Sequence, residues 1–575
     1  MENQPTCSQS KGVSVFMIFN LKIGFRALIF FASSYSLALT DLQYTFRVRL
    51  QEAQPIVNVE LAFRADHSRR TVLQAPECAF SESKLSNQIR SVKLISGRHI
   101  SCQVGQWIIT HDPNQDIRLS YELVQDWPVQ SYKRHRAYIQ KNLIKFCAAC
   151  ALVTPVYFNP HMKITFQFAG LPHNWFSRSS FGDSRTHMYQ GNPQALRNSF
   201  IIMGNTEQSR ILNCAVGAQN IQVIINGKSE MPDAEIGEVI KKIVTCQRAF
   251  FNDHSFPFYT VLLVCVPPLD QTNSASWQSA GTCFHNAIDL FCTQNTPLSA
   301  FKKLCAHEFF HAWNGNKINS SFDEQNFWFS EGFTEYYALV TALRSGLFSF
   351  TDFIAMCHEL CIAYYTSRVI NAPNAKISKE FWQTDEINRL AYNRGFIFAL
   401  LVNFLIKQQS KNNCSLDNLM KDLFAHTQKT GEKFSARLFN QLASKYISPG
   451  VLAQLEKYIE RGETFEFIPE LLGPHVSFRI GNLGVFDLGF DFEQLKSKCV
   501  ITQLNQASNA YKAGLRNGQK VRGWSLCFDA TKECIINLLD RDIRFFPQKP
   551  PFTQIPEYYL AQHADKKSAQ AWWMS

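Results

Sequence analysis

The sequence predicts a multidomain α+β protein with a β-rich N-terminal domain, a mainly helical central domain and a small β-rich domain near the C-terminus. Its 575 residues exceed what one hydrophobic core normally serves. Alternating apolar residues fill the first part of the chain, whereas helical apolar spacing prevails from 297 to about 460. With 46% hydrophobic and 18% charged residues, the composition is that of a globular protein.

Residues 1–40 are typical of a targeting segment. Lys22 and Arg26 precede a short apolar run that begins at Ala27 and closes with small residues, the order found in secretory signal peptides. Met17 stands just before this pattern and is an alternative start. The pattern predicts export to the periplasm or out of the cell, or anchoring in a membrane. If the segment is instead a partly buried N-terminal piece, the protein stays in the cytoplasm.

Residues 41–200 are predicted to form the β-rich N-terminal domain. Apolar residues recur there at every second position, which is typical of strands with one buried face. The clearest runs are Tyr44, Phe46, Val48 and Leu50, then Val57, Val59, Leu61 and Phe63, then Ile117, Leu119, Tyr121 and Leu123.

Residues 201–470 are predicted to form the second domain. Two short apolar runs at 221–225 and 261–264 are typical of buried strands, and they flank a helical pattern near 234–251. The rest of this domain is mainly helical.

The strongest functional signal is the sequence HEFFH at residues 307–311. On a helix, His307 and His311 lie one turn apart on the same face, so both imidazoles can reach one zinc ion. Glu308, between them, is placed to act as a general base on the attacking water. By itself this motif also fits a buried structural histidine pair.

A second segment, WFSEGFTE at 328–335, strengthens the zinc interpretation. Glu331 can supply a third ligand, and Glu335 shares its helix face. Glu335 can accept the second N–H of a ligand histidine and so fix its tautomer. Because a structural zinc site usually has a fourth Cys or His ligand, this set predicts a catalytic site with one zinc per chain.

Local signals support the two helices that the motif needs. Thr296 is predicted to cap the first helix, Pro297 suits its first position and Gly315 ends it. The second helix is predicted over 328–343, before a glycine at 346.

The segments HEFFHAWN at 307–314 and WFSEGFTEYY at 328–337 resemble the glycyl aminopeptidase family of gluzincin zinc metallopeptidases. Proteins of that family combine a β-rich N-terminal domain, a thermolysin-like catalytic domain and a C-terminal PDZ domain. The resemblance covers most of the chain after residue 41. It implies a hydrolase that cleaves peptides as a zinc-dependent protease.

The sequence AYNRG at 391–395 is similar to the family's Tyr-x-Lys-Gly segment. The resemblance implies that Tyr392 stabilises the tetrahedral intermediate, a role that suits a phenolic O–H close to the reacting carbonyl. Without the resemblance, Tyr392 reads as an ordinary core tyrosine. Arg394 is interpreted as an exposed charge, with substrate contact as the alternative.

The sequence AGTCFHN at 280–286 is similar to the family's Gly-Gly-Leu-Glu-His strand, which contacts substrate. Gly281 and His285 match, but Phe284 stands in the position of the Glu. In the family that carboxylate is expected to bind the free α-ammonium group of the substrate. Phe284 offers only an apolar face, and the nearest acid, Asp289, can point elsewhere, so recognition of the N-terminal amine is predicted to be altered.

Residues 475–550 are predicted to form a small PDZ-like domain. Leu488, Gly489 and Phe490 resemble the carboxylate-binding loop of PDZ domains, and AGLRNGQ at 513–519 resembles a second PDZ turn. Backbone N–H groups in such a loop bind the C-terminal carboxylate of a peptide. The alternative is a degenerate domain that only packs on the catalytic one.

The remaining features mostly exclude other classes. The net charge of +11 is spread along the chain without a sustained basic block, so no nucleic-acid partner is predicted. The 17 cysteines, including the pair in CAAC at 147–150, show no disulfide framework and are interpreted as packing residues. Residues 551–575 are assigned as a tail, and the oligomeric state is left open.

These observations predict a zinc-dependent peptidase, aminopeptidase-like but with altered recognition of the N-terminal amine. Peptides are its expected substrates. The alternative is a catalytically weak peptide-binding protein that keeps the zinc fold. The presence of Glu308 favours the enzyme, because a binding protein needs no base beside the metal.

Overall fold

The computed structural model describes most of the chain from residue 39 to residue 574. The internal segments that it does not describe are 51–53, 81, 104, 129–132, 157, 192–193, 218, 257–258, 269–276, 319–323, 484–486, 527–531, 549–552 and 562–564. The predicted targeting segment therefore lies almost wholly outside the described residues, and export stays a prediction.

The N-terminal domain is built from three β-sheets, as the alternating pattern predicts. The six-stranded sheet has the order β13-β11-β1-β2-β7-β4, and the two four-stranded sheets have the orders β10-β3-β6-β5 and β12-β14-β9-β8. The strands are β1 (Leu39–Arg49), β2 (Ile56–Arg64), β3 (Arg70–Gln74), β4 (Ile89–Ser96), β5 (His99–Gln103), β6 (Gln106–Thr110), β7 (Asp116–Leu123), β8 (Tyr138–Ile139), β9 (Leu143–Cys147), β10 (Thr154–Pro155), β11 (Phe158–Ala169), β12 (Trp175–Ser179), β13 (Thr186–Gln190) and β14 (Phe200–Asn205). Short helices α1 (Ala148–Ala151) and α2 (Gln194–Arg197) join them.

The second domain opens with a five-stranded sheet of order β15-β16-β17-β19-β18, which places β18 at an edge. Its strands are β15 (Ser209–Val216), β16 (Gln219–Asn226), β17 (Tyr259–Val266), β18 (Ser279–Phe284) and β19 (Ala287–Thr293), and α3 (Asp233–Phe251) lies between β16 and β17. Period-two and continuous apolar runs explain these strands, because β17 and β19 are buried along almost their whole length.

Helices follow, as predicted, and they carry most of the core. They are α4 (Leu298–Asn314), α5 (Phe327–Ser330), α6 (Gly332–Arg344), α7 (Phe350–Tyr365), α8 (Asn374–Glu380), α9 (Asp385–Gln409), α10 (Leu416–Thr430), α11 (Ala436–Ala443) and α12 (Pro449–Glu456). Helix α9 is long and apolar enough to cross a membrane, but 83% of its most apolar window is buried within the protein. It is a central core helix of this domain.

The C-terminal region contains a small three-stranded sheet with its own core. Its elements are β20 (Ser477–Leu483), α13 (Phe492–Lys498), α14 (Asn509–Lys512), β21 (Val521–Ser525), β22 (Cys534–Leu538), β23 (Asp542–Phe545), β24 (Thr553–Tyr559) and α15 (Lys566–Met574). Strands β20 and β24 pair with each other, and Tyr558 and Trp573 join the core of the helical domain. The segment assigned as a tail thus contributes a strand and a helix to the fold.

A buried apolar cluster, next to one buried ion pair, fixes the N-terminal domain to the five-stranded sheet of the second domain. Phe200 of β14 stacks on Phe284 of β18 with ring centroids 4.8 Å apart. Beside them, Lys145 of β9 forms an ion pair with Asp289 of β19, and both side chains are only 1% exposed. Asp289, the acid nearest to Phe284 in sequence, therefore faces the neighbouring domain.

Removing one member of this buried pair is expected to weaken the whole assembly. Asp289→Ala leaves the Lys145 ammonium buried without its partner, so it should lower the free energy of unfolding by about 3–5 kcal/mol. Urea denaturation followed by tryptophan fluorescence measures this change. The matched control is Asp116→Ala, which removes an exposed pair with Arg64 and should cost less than about 1 kcal/mol. Equal effects of the two substitutions would contradict a structural role for the buried pair.

Candidate active site

Helix α4 places the HEFFH segment against the core. The helix begins at Leu298 with Pro297 in the N-cap position, one residue later than predicted. Thr296 does not cap it, because its hydroxyl bonds to Thr293 and to the carbonyl of Gln278 instead. At the other end Gly315 caps the helix as predicted, and its N–H bonds to the His311 carbonyl 2.8 Å away.

The structure brings His307, His311 and Glu331 together. The Nε2 atoms of His307 and His311 are 3.1 Å apart, and the Glu331 Oε2 atom is 3.3 Å from the first and 3.4 Å from the second. Ligands bound tetrahedrally to zinc at about 2.0–2.1 Å lie about 3.3 Å from one another. The three atoms therefore have the spacing that a zinc ion requires.

Glu331 occupies a break between two helices. The single helix predicted over 328–343 is in fact α5 and α6, with Glu331 at their junction. The Asn314 side-chain amide donates to the carbonyls of Phe329 and Ser330, at 3.1 and 3.3 Å, and to the Thr334 hydroxyl at 3.0 Å. Asn314 thereby fixes the turn that carries Glu331. The sequence analysis missed this role, although Asn314 lies three residues after His311 in the same motif.

Glu335 fixes the orientation of His307, as predicted. The His307 Nδ1 atom is 3.0 Å from the Glu335 carboxylate, which leaves Nε2 directed toward the ligand cluster. Glu335 also forms an ion pair with Lys303. Burial favours the neutral acid, but Lys303 and His307 outweigh it and lower the pKa of Glu335 to about 2. Lys303 was missed, and its position four residues before His307 is the signal that could have revealed it.

Glu308 is buried beside the same cluster, and edge strand β18 runs directly past it. Burial raises the pKa of Glu308, while the neighbouring His307, His311 and Arg134 oppose that change. A Cβ atom at Gly281 would lie only 2.3–2.5 Å from the Cγ, Cδ and Oε1 atoms of Glu308. Only glycine therefore lets β18 approach this carboxylate.

Tyr392 reaches the cluster from α9. Its ring stacks on the His307 ring with centroids 5.8 Å apart, and the nearby Glu331 carboxylate acts electrostatically on its hydroxyl. Burial raises the pKa of Tyr392 well above its usual value, so the phenol keeps its proton and can donate it in a hydrogen bond. Helix α9 can pack this closely against α5 because residue 395 is a glycine. A Cβ at Gly395 would lie 2.0 Å from the Trp328 carbonyl oxygen.

Comparison with known proteins agrees with this geometry. Residues 300–374 match the family model of the M61 glycyl aminopeptidases. The matched residues include the HEFFH and WFSEGFTE segments, so the match supports the interpretation as a zinc metallopeptidase. A comparison with curated protein sequences gave no match.

A solved structure shows that the protein has an aminopeptidase N-like fold. An aminopeptidase N family protein from Idiomarina loihiensis superimposes with a TM-score of 0.74 at 16% identity, covering 93% of this chain and 100% of that one. The M1 zinc metallopeptidase from Deinococcus radiodurans gives a TM-score of 0.46 at 15% identity, covering 75% of this chain and 96% of that one.

The structure places Phe284 and His285 away from the predicted substrate contacts. Phe284 is 2% exposed in its stack with Phe200, so the expectation that it presents an apolar face to substrate is wrong. His285 packs against the rings of Phe181 and Tyr189 of the N-terminal domain. Burial lowers its pKa to about 4, so it carries no charge that would repel a cation near neutral pH.

Arg394 is also placed differently from the prediction. Rather than an exposed charge, it is 1% exposed and donates to the carbonyls of Ala372 and Ile370. These bonds tie α9 to the loop before α8. Its role is therefore structural, because it holds the helix that carries Tyr392.

A residue from the N-terminal domain was missed altogether. The Arg134 Nη1 atom donates to the Gly281 carbonyl oxygen at 2.5 Å, and the neighbouring His135 Nε2 atom lies 2.9 Å from the Thr282 hydroxyl. Both residues thus contact β18 beside Glu308. No local sequence pattern reveals this contact, which joins residues 147 positions apart.

The predicted carboxylate loop lies far from this cluster in sequence, within the small C-terminal core. Leu488 and Phe490 are buried, and Gly489 adopts a positive φ of 81°. The Gly489 N–H donates to the Asp487 side chain at 2.7 Å, and α13 rather than a strand follows the loop. Binding of peptide C-termini here stays a prediction.

The zinc content of the purified protein tests the assignment of His307, His311 and Glu331 as ligands. The purified protein should contain about one zinc per chain, and His311→Ala should lose most of it because one of three protein ligands is gone. Elemental analysis after dialysis measures the content. The matched control is His173→Ala, which removes an exposed histidine outside the cluster and should leave zinc unchanged. A full complement of zinc in His311→Ala would contradict this ligand assignment.

Proposed function

We propose that this protein hydrolyses peptide bonds with a single zinc ion held by His307, His311 and Glu331. The observation that carries the proposal is the mutual spacing of the three ligand atoms, 3.1–3.4 Å, next to the buried carboxylate of Glu308. When bound, zinc acts as a Lewis acid on the scissile carbonyl and lowers the pKa of a water molecule.

Glu308 then serves as the proton carrier of the reaction. It accepts a proton from the attacking water and returns it to the leaving amine. Its burial raises its pKa, which brings its affinity for protons closer to what both transfers require. Tyr392 keeps its proton and donates a hydrogen bond to the oxygen that gains negative charge in the transition state.

The open edge of β18 gives the peptide substrate its direction. Among the strands that the structure describes, this one pairs only with β19, and Gly281 brings its backbone against Glu308. An extended peptide can add to such an edge through backbone hydrogen bonds. The scissile bond would then lie beside the general base.

We further propose that a free N-terminal amine is not required. The residue in the position of the family's amine-binding Glu is the buried Phe284, and the nearby Asp289 is paired with Lys145 in the domain interface. Arg134 of the N-terminal domain contacts β18 next to Glu308, and its side chain is a cation. A cation there disfavours an α-ammonium group, so N-blocked peptides and internal bonds should be accepted.

Substitution of the general base tests catalysis directly. Glu308→Gln keeps the shape of the side chain but cannot carry a proton, so kcat should fall by roughly 10²–10⁴-fold while zinc is retained. Tyr392→Phe should lower kcat by about 10²-fold with little change in KM, because its bond forms in the transition state. Hydrolysis of a peptide library, with and without a chelator, gives these rates. Unchanged, chelator-insensitive turnover in Glu308→Gln would overturn the proposed function.

The requirement for a free amine is tested with one peptide in two forms. The free and N-acetylated peptides should have kcat/KM values within about tenfold of each other, since no buried carboxylate loses an ionic partner on acetylation. A preference for the free amine by several orders of magnitude would show that a carboxylate elsewhere in the fold anchors it.

A further inference from the structure

Arg134 brings a positive charge from the N-terminal domain to the proposed peptide-binding edge. Its side chain is partly exposed, and one Nη atom donates to the Gly281 carbonyl oxygen at 2.5 Å. A guanidinium group has five N–H donors, so this bond leaves several for another acceptor. Gly281 lies directly against Glu308. The guanidinium of Arg134 and the carboxylate of Glu308 therefore contact the same residue of β18.

Two nearby cations have a carboxylate within ion-pair distance, whereas Arg134 acts on Glu308 and Asp289 only at longer range. Arg136 forms ion pairs with Glu82 and Asp126, and Lys145 forms its buried pair with Asp289. Throughout the part of the chain that the structure describes, no carboxylate lies within ion-pair distance of Arg134. Partly buried charges are normally matched, so this one points to a ligand of opposite charge.

His135, the residue after Arg134, adds no charge of its own. His135 is buried, and burial together with the charges of Arg134 and Lys145 lowers its pKa well below the usual value. Its neutral ring stacks on Phe80 with centroids 4.1 Å apart. Phe80 holds a left-handed backbone with φ of 56°, a strained conformation for a bulky residue.

A chain of aromatic rings leads from Phe80 to the helical domain. Phe80 meets the ring of Trp382 at 6.4 Å, and Trp382, which is 37% exposed, meets Phe327 at 5.9 Å. The ring of Phe80 thus connects His135, next to β18, with the helical domain.

We propose that Arg134 binds a carboxylate of the substrate, and that this peptidase prefers peptides with an acidic residue next to the scissile bond. The inference rests on the proposed function, because it concerns the substrate of the same site. A guanidinium binds the two oxygens of a carboxylate with two parallel N–H donors. A glutamine side chain offers one uncharged oxygen instead of two charged ones, and a lysine side chain offers no acceptor. Arg134 is then a specificity residue rather than a catalytic one.

Matched peptides that differ at one position test the preference. A common peptide carries Glu, Gln or Lys on either side of the scissile bond, and kcat/KM is measured for wild type, Arg134→Gln, Arg134→Lys and the control Lys133→Gln. Lys133 is the exposed neighbour of Arg134, so its substitution removes the same charge outside the contact with β18.

Wild type and Lys133→Gln should cleave the Glu peptide about 10- to 100-fold faster than the Gln peptide in at least one position, as a charge-assisted hydrogen bond predicts. Arg134→Gln should lose this preference through KM while it still cleaves the Gln peptide. Arg134→Lys should keep part of it. Equal rates for Glu and Gln peptides in wild type would overturn the inference, and so would an equal loss for both peptides in Arg134→Gln, which indicates a role in holding β18 only.

A binding measurement separates this inference from the proposed function. Fluorescence anisotropy of the same peptides on the full-length Glu308→Gln protein, with Arg134 intact or replaced by Gln, needs no turnover. Tighter binding of the Glu peptide that depends on Arg134 supports the inference even if no peptide is hydrolysed by wild type. Chelator-sensitive hydrolysis without any acidic preference supports the proposed function and overturns the inference.

Discussion

Three carboxylates gathered in one largely buried place set the constraint on which the rest of the site depends. Glu308 and Glu335 are 7% and 6% exposed, and the carboxylate of Glu331 lies 3.3 and 3.4 Å from the two histidines. Burying like charges together is unfavourable unless cations and hydrogen bonds compensate. Lys303 compensates Glu335, and the zinc ion that His307, His311 and Glu331 would hold compensates Glu331.

Two glycines allow the elements around this charged cluster to approach one another closely. Gly281 admits the edge strand beside Glu308, and Gly395 packs against the Trp328 carbonyl so that Tyr392 reaches Glu331. With a side chain at either position, the two elements would have to separate. A separation of one ångström is enough to disturb catalytic geometry, so these glycines define the site as firmly as its charged residues.

The N-terminal β domain has a functional part as well as a structural one. Its apolar cluster and the pair of Lys145 with Asp289 fix it against the catalytic sheet. The same contact carries Arg134 and His135 onto β18. The edge strand thus lies between Glu308 and a second domain, and the proposed substrate selection at this edge would depend on how the two domains pack.

The sequence by itself determined the strands of the N-terminal domain and the helix faces that present His307, Glu308, His311 and Glu335, because periods of two and 3.6 residues fix which side chains share a face. The break at Glu331 and the burial of Arg394 and Phe284 were not predictable in this way. They are decided by Asn314, by backbone carbonyls and by Phe200, all brought in from other segments. The contact of Arg134 with Gly281 spans 147 positions, and only the tertiary structure decided it, because packing between domains leaves no periodic trace in the sequence.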